Sequence, residues 1–244
     1  MAKRATNINL YEAPQNLSEH PFYGLVLDEQ QKNFRDAIWD DSKLIVFCNA
    51  KAGTGKTLIA TATANLLCGY GKYEGIVYIA APTQEQKQGY LKGTIEEKSE
   101  PYFEPFYQAL SKIGVNLNTA FLDGATNEKY QTAYIECLTH TFLRGTNFEN
   151  KVVIVDESQN FYFDELMKVL TRIHDNCKVI VIGHDGQNDL INNPERSGFV
   201  PYLKWFENDE RTAVCQLSKN YRGWISQHAD KLTMNLAKNL MEDQ

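Results

Sequence analysis

A glycine turn between an apolar run and a helix-forming segment constrains this sequence more than any other feature. The run at 44–48 reads LIVFC, without alternation, as expected of a strand buried on both faces. The turn at 49–55 reads NAKAGTG, and its glycines let successive backbone N–H groups point at one anion. Lys56 and Thr57 open the helix that follows, whose dipole adds positive charge at the same place. The order strand, glycine turn, Lys-Thr and helix predicts a phosphate-binding P-loop.

The residues of this loop have separate expected roles in binding ATP. Lys56 would reach the β- and γ-phosphates and serve catalysis, and the Thr57 hydroxyl would ligate Mg²⁺. Ala50 occupies the first motif position, where glycine is usual, and alanine is the smallest replacement. A flexible glycine turn with a solvated lysine is the alternative, and the flanking strand and helix argue against it. The expected nucleotide-binding residues are Ala52, Gly53, Thr54, Gly55, Lys56, Thr57 and Leu58.

A second apolar strand supplies the acidic groups that such a loop needs. The run at 151–157, KVVIVDE, ends in two carboxylates, which the carboxyl edge of an open α/β sheet would present. We expect Asp156 to hold Mg²⁺ through water and Glu157 to polarise the attacking water. Gln187 follows the next apolar run and would contact that water and the γ-phosphate, unless it only forms a turn. Arg222 would stabilise charge on the transferring phosphoryl group, or form a surface salt bridge instead.

Strands and helices alternate along the chain, which predicts a parallel sheet covered by helices on both faces. Apolar runs predict strands at 44–48, 76–81, 134–138, 151–157, 178–183 and 212–217. Apolar residues at helical spacing predict helices at 27–39, from about 55, at 164–173 and at 225–240. The polar stretch at about 84–131 is too long for a simple crossover and predicts a helical insertion. The expected product is one α/β P-loop NTPase domain at 27–244, preceded by an N-terminal arm at 1–26.

Composition argues against several other classes of protein. The 244 residues carry 31 acidic and 25 basic side chains, with no basic block that would indicate a nucleic-acid-binding tail. Five scattered cysteines without a Cys-x-x-Cys pair argue against a zinc site or a disulfide framework. The sequence begins without an apolar signal segment, and no run approaches the length of a membrane span. We therefore expect a cytoplasmic protein, in the host cytoplasm if a phage encodes it.

Further short motifs lie on both sides of the P-loop. They are QKNFRDAI at 31–38, the segment at 81–110, LRGTNFENK at 143–151, DESQN at 156–160, LTRI at 170–173, GHDGQNDL at 183–190 and SGF at 197–199. In this order they resemble the motifs of the PhoH-like ATPases, a phosphate-starvation-inducible family of bacteria and phages. The core of that family is similar to one RecA-like domain of superfamily 1 helicases. The sequence departs from the family pattern where Ala50 replaces glycine, Thr146 replaces arginine and His184 replaces aspartate.

The resemblance implies Mg²⁺-dependent ATP hydrolysis, coupled to remodelling or helicase activity on RNA or single-stranded DNA. It also implies that Gln31, in the helix before the P-loop strand, contacts adenine, the alternative being that Gln30 and Gln31 are merely exposed residues of that helix. Thr83 and Arg144 would touch the phosphate backbone of the nucleic acid. An aromatic cluster in the insertion would either stack on bases or pack in the core, and it comprises Tyr102, Phe103, Phe106 and Tyr107.

The chain carries one P-loop and one Asp-Glu strand end, whereas a superfamily 1 helicase closes its ATP site between two RecA-like domains. We therefore expect a head-to-tail homo-oligomer, with a hexameric ring favoured, in which Arg172 or Arg222 of one subunit enters the neighbouring site. Two other functions stay open. A small-molecule kinase of the thymidine-kinase type also pairs a P-loop with a similar strand end, and an ATP-gated scaffold would need no nucleic acid.

Overall fold

The computed structural model describes residues 12–81, 99–121, 133–143, 145–186, 196–229 and 231. Six strands in these residues form one sheet, and they are β1 (Ile45–Ala50), β2 (Gly75–Ala80), β3 (Ile135–Thr139), β4 (Lys151–Asp156), β5 (Lys178–Gly183) and β6 (Thr212–Leu217). Their spatial order is β3-β2-β4-β5-β1-β6, and every pairing between these strands is parallel. The predicted parallel sheet is confirmed.

Six α-helices accompany the strands within the described ranges. They are α1 (Glu29–Trp39), α2 (Lys56–Gly69), α3 (Glu104–Lys112), α4 (Leu117–Ala120), α5 (Phe163–Leu170) and α6 (Phe199–Phe206), and residues 224–229 are also helical. The start of α1 is fixed by Asp28, whose carboxylate accepts the backbone N–H of Gln31 at 2.8 Å. The Gln31 side-chain oxygen accepts the backbone N–H of Asp28 at 3.1 Å in return, which completes a capping box.

Successive residues of each strand point to opposite faces of the sheet, and both faces are buried. In β1, Val46 and Cys48 face one helical layer, while Ile45 and Phe47 face the other. Helices α1 to α4 form the first layer, whose core includes Phe34, Ile38, Ile59, Leu67, Phe106, Leu110 and Ala120. Helices α5 and α6 contribute to the second layer, whose core includes Leu166, Val169 and Phe199. Burial on both faces explains why the strands read as continuous apolar runs.

The strand order determines which loops meet. Because β5 lies between β1 and β4, the segments that follow these three parallel strands lie at one edge of the sheet. The P-loop follows β1, Asp156 and Glu157 stand at the end of β4, and His184 follows β5. The topology thus brings Thr57 into contact with Asp156, although 99 positions separate them in the sequence.

Some observed boundaries differ from the predicted ones. Helix α5 ends at Leu170 instead of 173, because Ile173 forms an isolated parallel bridge with Phe148. The helix predicted at 225–240 starts at 224, and beyond 231 it lies outside the described residues. Part of the predicted N-terminal arm belongs to the core, since Leu17 and Phe22 are fully buried against the domain.

Lys178, the first residue of β5, is fully buried at the amino edge of the sheet. Its ammonium group donates to the carbonyl oxygens of Asp40, at 2.6 Å, and of Lys43. Both carbonyls belong to the segment between α1 and β1, so this lysine joins that connection to the sheet. Burial lowers the pKa of Lys178 to about 8 from its ordinary value of 10.5.

This buried lysine predicts a stability that rises in mild alkali. Below pH 8 the lysine is charged in both the folded and the unfolded state, and burying the charge lowers the free energy of unfolding. Between about pH 8 and pH 10.5 the folded form loses the proton while the unfolded form keeps it, so the free energy of unfolding increases. Urea titrations measure this effect. Between pH 7 and pH 9.5, the free energy of unfolding of the wild-type protein should increase by about 2 kcal/mol relative to that of Lys178→Met.

The matched control for this titration is Lys204→Met, which removes an exposed lysine from α6. The difference in the free energy of unfolding between Lys204→Met and wild type should be the same at both pH values. If the free energy of unfolding of Lys178→Met changes with pH in the same way as that of wild type, Lys178 does not titrate in the folded protein as its burial requires.

Candidate active site

The P-loop is held in its curled form by two glycines and by contacts to a later segment. Gly53 and Gly55 have φ angles of +77° and +81°, a region that residues with a side chain rarely adopt. A Cβ at Gly53 would also lie only 2.6 Å from the Asn220 side-chain oxygen. Within the loop, the Thr54 hydroxyl donates to the Lys51 carbonyl at 2.9 Å. The turn therefore has a defined shape, which argues against a merely flexible glycine turn.

Thr57 and Asp156 meet at the mouth of this loop. The Thr57 hydroxyl donates to Oδ2 of Asp156 at 2.7 Å, and the backbone N–H of Glu157 donates to Oδ1 at 2.8 Å. Burial raises the pKa of Asp156, and the adjacent Glu157 charge raises it further. A hydroxyl and a carboxylate oxygen at this separation are hard ligands of the kind that Mg²⁺ prefers. The donor set therefore fits the predicted metal site.

Lys56 and Glu157 form an ion pair beside the predicted metal ligands. The Lys56 ammonium nitrogen lies 2.9 Å from Oε1 of Glu157. Burial alone would lower the pKa of Lys56, but the carboxylates of Glu157 and Asp156 outweigh it and raise the pKa. Burial likewise opposes the charge on Glu157, yet Lys56 and Gln159 outweigh burial and lower its pKa. Both groups are therefore charged at neutral pH, and each stabilises the charge of the other.

Gln159 is a site residue that the sequence did not single out. Its amide nitrogen donates to Oε2 of Glu157 at 2.6 Å, and its amide oxygen accepts the backbone N–H of His184 at 3.1 Å. It thus joins the end of β4 to the segment after β5 and fixes one oxygen of the Glu157 carboxylate. In the sequence, only its place within DESQN, two residues after Glu157, indicated that Gln159 would lie in the site.

Tyr78 of β2 is a second residue that sequence reasoning missed. Its hydroxyl donates to Oδ2 of Asp156 at 2.9 Å, and the residue is 1% exposed. Burial and the nearby Asp156 charge keep the pKa of Tyr78 well above its ordinary value of 10, so the hydroxyl keeps its proton. A tyrosine in a buried apolar strand reads as core packing, which is why the pattern gave no indication of this contact.

Arg222 lies against the P-loop of its own chain. The backbone N–H of Tyr221 donates to the Gly53 carbonyl at 2.8 Å, and Cγ of Arg222 would lie 3.1 Å from a Cβ on Gly53. The Tyr221 hydroxyl donates to Oδ2 of Asp28 at 2.6 Å, which ties this segment to the start of α1. Arg222 therefore lies beside the predicted phosphate site of its own chain.

Gln31 lies beside the P-loop, and its amide has partners within the protein. The amide nitrogen donates to the Thr54 carbonyl at 2.9 Å, and the amide oxygen serves the capping box of α1. The side chain is buried, and Gly55 lies close to it. Adenine recognition by Gln31 stays a prediction, and the observed contacts of this amide join the start of α1 to the P-loop.

Arg172 lies at the opposite edge of the sheet from the P-loop. Its carbonyl accepts the backbone N–H of Phe148, which precedes β4, and its guanidinium donates to the Thr146 carbonyl at 3.2 Å. Because the six described strands are parallel, this is the amino edge. Arg172 therefore cannot reach the active site of its own chain, and any role there would need another subunit.

The remaining predicted residues divide between buried positions and undescribed ones. Phe103 and Phe106 are buried in the core with 7% and 0% exposure, so the packing alternative applies to them. Tyr102 and Tyr107 are partly buried against the same core. Gln187, Thr83 and Arg144 lie outside the described residues.

The comparisons with known proteins identify a family for this chain. Residues 26–229 match the family model described as PhoH-like protein. The chain is 33% identical over 196 residues to Protein PhoH of Escherichia coli K12, which covers 80% of this chain and 53% of that protein. It is 30% identical over 189 residues to Protein PhoH2 of Bacillus subtilis, covering 75% and 41%. The chain thus spans about half the length of the curated relatives it matches.

Among solved structures, the large terminase of a thermophilic bacteriophage, in complex with ADP, is similar with a TM-score of 0.51. The match has 14% identity and covers 79% of this chain and 46% of that one, so it shows the fold alone. The fold is that of a RecA-like P-loop NTPase. No helix in the described part of the chain is long and apolar enough to cross a membrane. With its family match across 26–229 and these relatives, the chain belongs to the PhoH-like protein family.

Proposed function

We propose that this protein hydrolyses ATP with Mg²⁺ at the P-loop. The observation that carries the proposal is the meeting of two pairs of side chains at one sheet edge. The Thr57 hydroxyl lies 2.7 Å from the Asp156 carboxylate, and the Lys56 ammonium lies 2.9 Å from the Glu157 carboxylate. The first pair has the oxygen ligands for a magnesium ion, and the second pair joins a phosphate-binding cation to a general base. Family membership and the P-loop NTPase fold support an ATPase-type function in the same direction.

The ion pair suggests how ATP binding prepares the reaction. The β- and γ-phosphates would take the Lys56 ammonium group, which frees the Glu157 carboxylate to face a water molecule. The water oxygen then forms a bond to the γ-phosphorus while the bond to the bridging oxygen breaks, and ADP leaves. The water proton passes to Glu157, which Gln159 holds in orientation. Mg²⁺, when bound by Thr57 and Asp156, would neutralise charge on the phosphates.

Arg222 and Gln187 complete the proposed chemistry. Arg222 would stabilise negative charge on the γ-phosphoryl group from within the same chain, since its segment packs on Gly53. Gln187 would report the presence of the γ-phosphate from the segment after β5. The Gln31 amide would contact adenine if ATP binding turns it away from the Thr54 carbonyl.

We further propose that hydrolysis is coupled to RNA or single-stranded DNA. The support is the order of motifs that resembles superfamily 1 helicases, with Thr83 and Arg144 as candidate backbone contacts. The test is to measure phosphate release with no addition, with poly-RNA, with single-stranded DNA and with nucleosides. Stimulation by a polymer is the expected result. Nucleoside phosphorylation would indicate a kinase instead, and no response to any addition would indicate an ATP-gated scaffold.

A head-to-tail ring of identical subunits would cover the open side of the ATP site. Arg172 is the candidate arginine supplied by a neighbour, because it lies at the sheet edge remote from its own P-loop. In a head-to-tail interface, one surface of a subunit packs against a different surface of the next. Arg172 at the amino edge of one sheet could then meet the P-loop at the carboxyl edge of the next. A hexamer is the assembly that we favour.

Mixing two inactive variants tests this assembly. Lys56→Ala should be inactive. If Arg172 acts in a neighbour's site, Arg172→Ala should hydrolyse ATP about 10³-fold more slowly than wild type, or slower still. Mixed rings contain some interfaces with both residues intact, so the mixture should regain part of the wild-type rate. Thr171→Ala, which changes the exposed residue next to Arg172, is the control and should keep the wild-type rate. A protein that stays monomeric with ATP and keeps its specific activity on dilution would contradict the assembly.

A further inference from the structure

Tyr78 places a phenol hydroxyl beneath the predicted metal site. It stands in the middle of β2, whose other residues are small or aliphatic, and every residue of that strand is buried. A buried tyrosine hydroxyl requires a hydrogen-bond partner, and here the partner is Oδ2 of Asp156 at 2.9 Å. A phenylalanine would fill the same volume, so packing alone does not account for the hydroxyl.

The Asp156 carboxylate is held from three directions. Oδ2 accepts the hydroxyls of Tyr78 and Thr57, and Oδ1 accepts the backbone N–H of Glu157. The backbone N–H is fixed by the chain, and the Thr57 hydroxyl oxygen is the predicted metal ligand. Tyr78 is therefore the side-chain donor that restricts the rotation of the carboxylate without itself lying at the metal position.

The position of the Tyr78 ring is set by the helical region that follows β2. The Phe106 ring of α3 stacks on it with centroids 4.3 Å apart and an angle of 9° between the planes. Phe103 meets it edge-on at 6.3 Å. Both phenylalanines are buried, so the ring has little freedom to move. The described part of the insertion is thereby connected to Asp156 through a single side chain.

We propose that Tyr78 is a positioning residue for the metal site, orienting Asp156 so that the protein binds the Mg²⁺–nucleotide complex. This inference rests on the proposed function, since it assumes that Asp156 and Thr57 hold the ion. Hydrogen-bond donors to a residue that holds a metal ion, directly or through water, restrict its orientation, and their removal commonly changes metal affinity or activity by about 10- to 100-fold. Tyr78 would act on metal affinity and leave the reacting groups untouched.

The test is Tyr78→Phe, which keeps the ring and its stack on Phe106 but removes the hydroxyl. Mn²⁺ binding to the ADP-bound protein is followed by electron paramagnetic resonance, and the apparent Kd for Mn²⁺ should rise about 10- to 100-fold. ADP binding in the presence of a chelator should change less than about twofold. In ATPase assays the half-saturating Mg²⁺ concentration should rise, while kcat at saturating Mg²⁺ stays within about threefold of wild type.

Tyr134→Phe is the matched control. Tyr134 is partly buried, and its hydroxyl donates to the side-chain oxygen of Asn65 at 2.6 Å, away from Asp156. Loss of that hydroxyl should lower stability without changing metal affinity. A double-mutant cycle adds a second criterion, because Tyr78→Phe should have no further effect on the Mn²⁺ dependence of ADP binding once Asp156 is replaced by alanine.

The failures of the two proposals are distinguishable. If wild-type protein binds Mn²⁺–ADP but Tyr78→Phe binds the metal equally well, the role of Tyr78 is wrong and the proposed function stands. If wild-type protein shows no metal-dependent nucleotide binding, the proposed function itself is overturned. A metal affinity that falls equally in Tyr134→Phe would mean that general destabilisation is the cause, which also contradicts the role of Tyr78.

Discussion

Replacing Glu157 with glutamine should leave ATP binding intact while slowing hydrolysis by about 10²- to 10⁴-fold. Glutamine has the shape of glutamate and can still meet Gln159, but it cannot accept the proton of the attacking water. The substitution also removes the carboxylate that pairs with Lys56 at 2.9 Å. Lys56 would then be free for the phosphates, so the Kd for ATP should be unchanged or lower. Fluorescent-nucleotide titration and phosphate release measure the two effects separately.

Glu149→Gln is the control for this substitution, because Glu149 is exposed and faces His174 rather than the P-loop. It should hydrolyse ATP at the wild-type rate. Wild-type turnover in Glu157→Gln would remove Glu157 from the chemistry. Weak ATP binding with normal kcat would assign it to binding instead of catalysis.

Lys56→Ala should lose nucleotide binding or turnover altogether, with a decrease in kcat/KM of at least about 10³-fold. The ammonium group is the positive charge that the buried Asp156 and the adjacent Glu157 share. Without it the two carboxylates repel one another and the phosphates, so both the free site and the ATP complex are destabilised. Equilibrium binding of ADP and ATP, together with phosphate release, measures the loss.

Lys168→Ala is the control, since it removes an exposed lysine whose partner is Asp164, four residues before it on α5. Its nucleotide affinity and turnover should equal those of wild type. Nucleotide binding retained within about threefold in Lys56→Ala would contradict the assignment of the P-loop as the phosphate site.

The fold and the meeting of the P-loop with the Asp-Glu pair could be predicted because the decisive signals are local. Strand, glycine turn and Lys-Thr are contiguous, and the Asp-Glu pair directly follows an apolar strand. Parallel topology then required the two motifs to share an edge, and the contact between Thr57 and Asp156 shows that they do. The length of α5 was less predictable, since its last turn was replaced by a bridge between Phe148 and Ile173.

What the sequence could not indicate depends on contacts between distant segments. Tyr78 and Gln159 contact Asp156 and Glu157 only because the folded chain brings them within hydrogen-bonding distance. The position of Arg172 follows from the direction of α5, which runs from the carboxyl edge back to the amino edge. Lys178 begins an apolar run of the sequence, yet its charge meets two carbonyls of the segment before β1.

The central claim is that this site transfers the γ-phosphoryl group of ATP to water. A single-turnover reaction of wild-type protein with ATP and Mg²⁺ in ¹⁸O-labelled water tests it directly, with Glu157→Gln run in parallel. The expected products are ADP without label and inorganic phosphate carrying an oxygen from the water, with the variant releasing almost none in the same time. Phosphoryl transfer to another acceptor, or equal phosphate release by the variant, would contradict the claim.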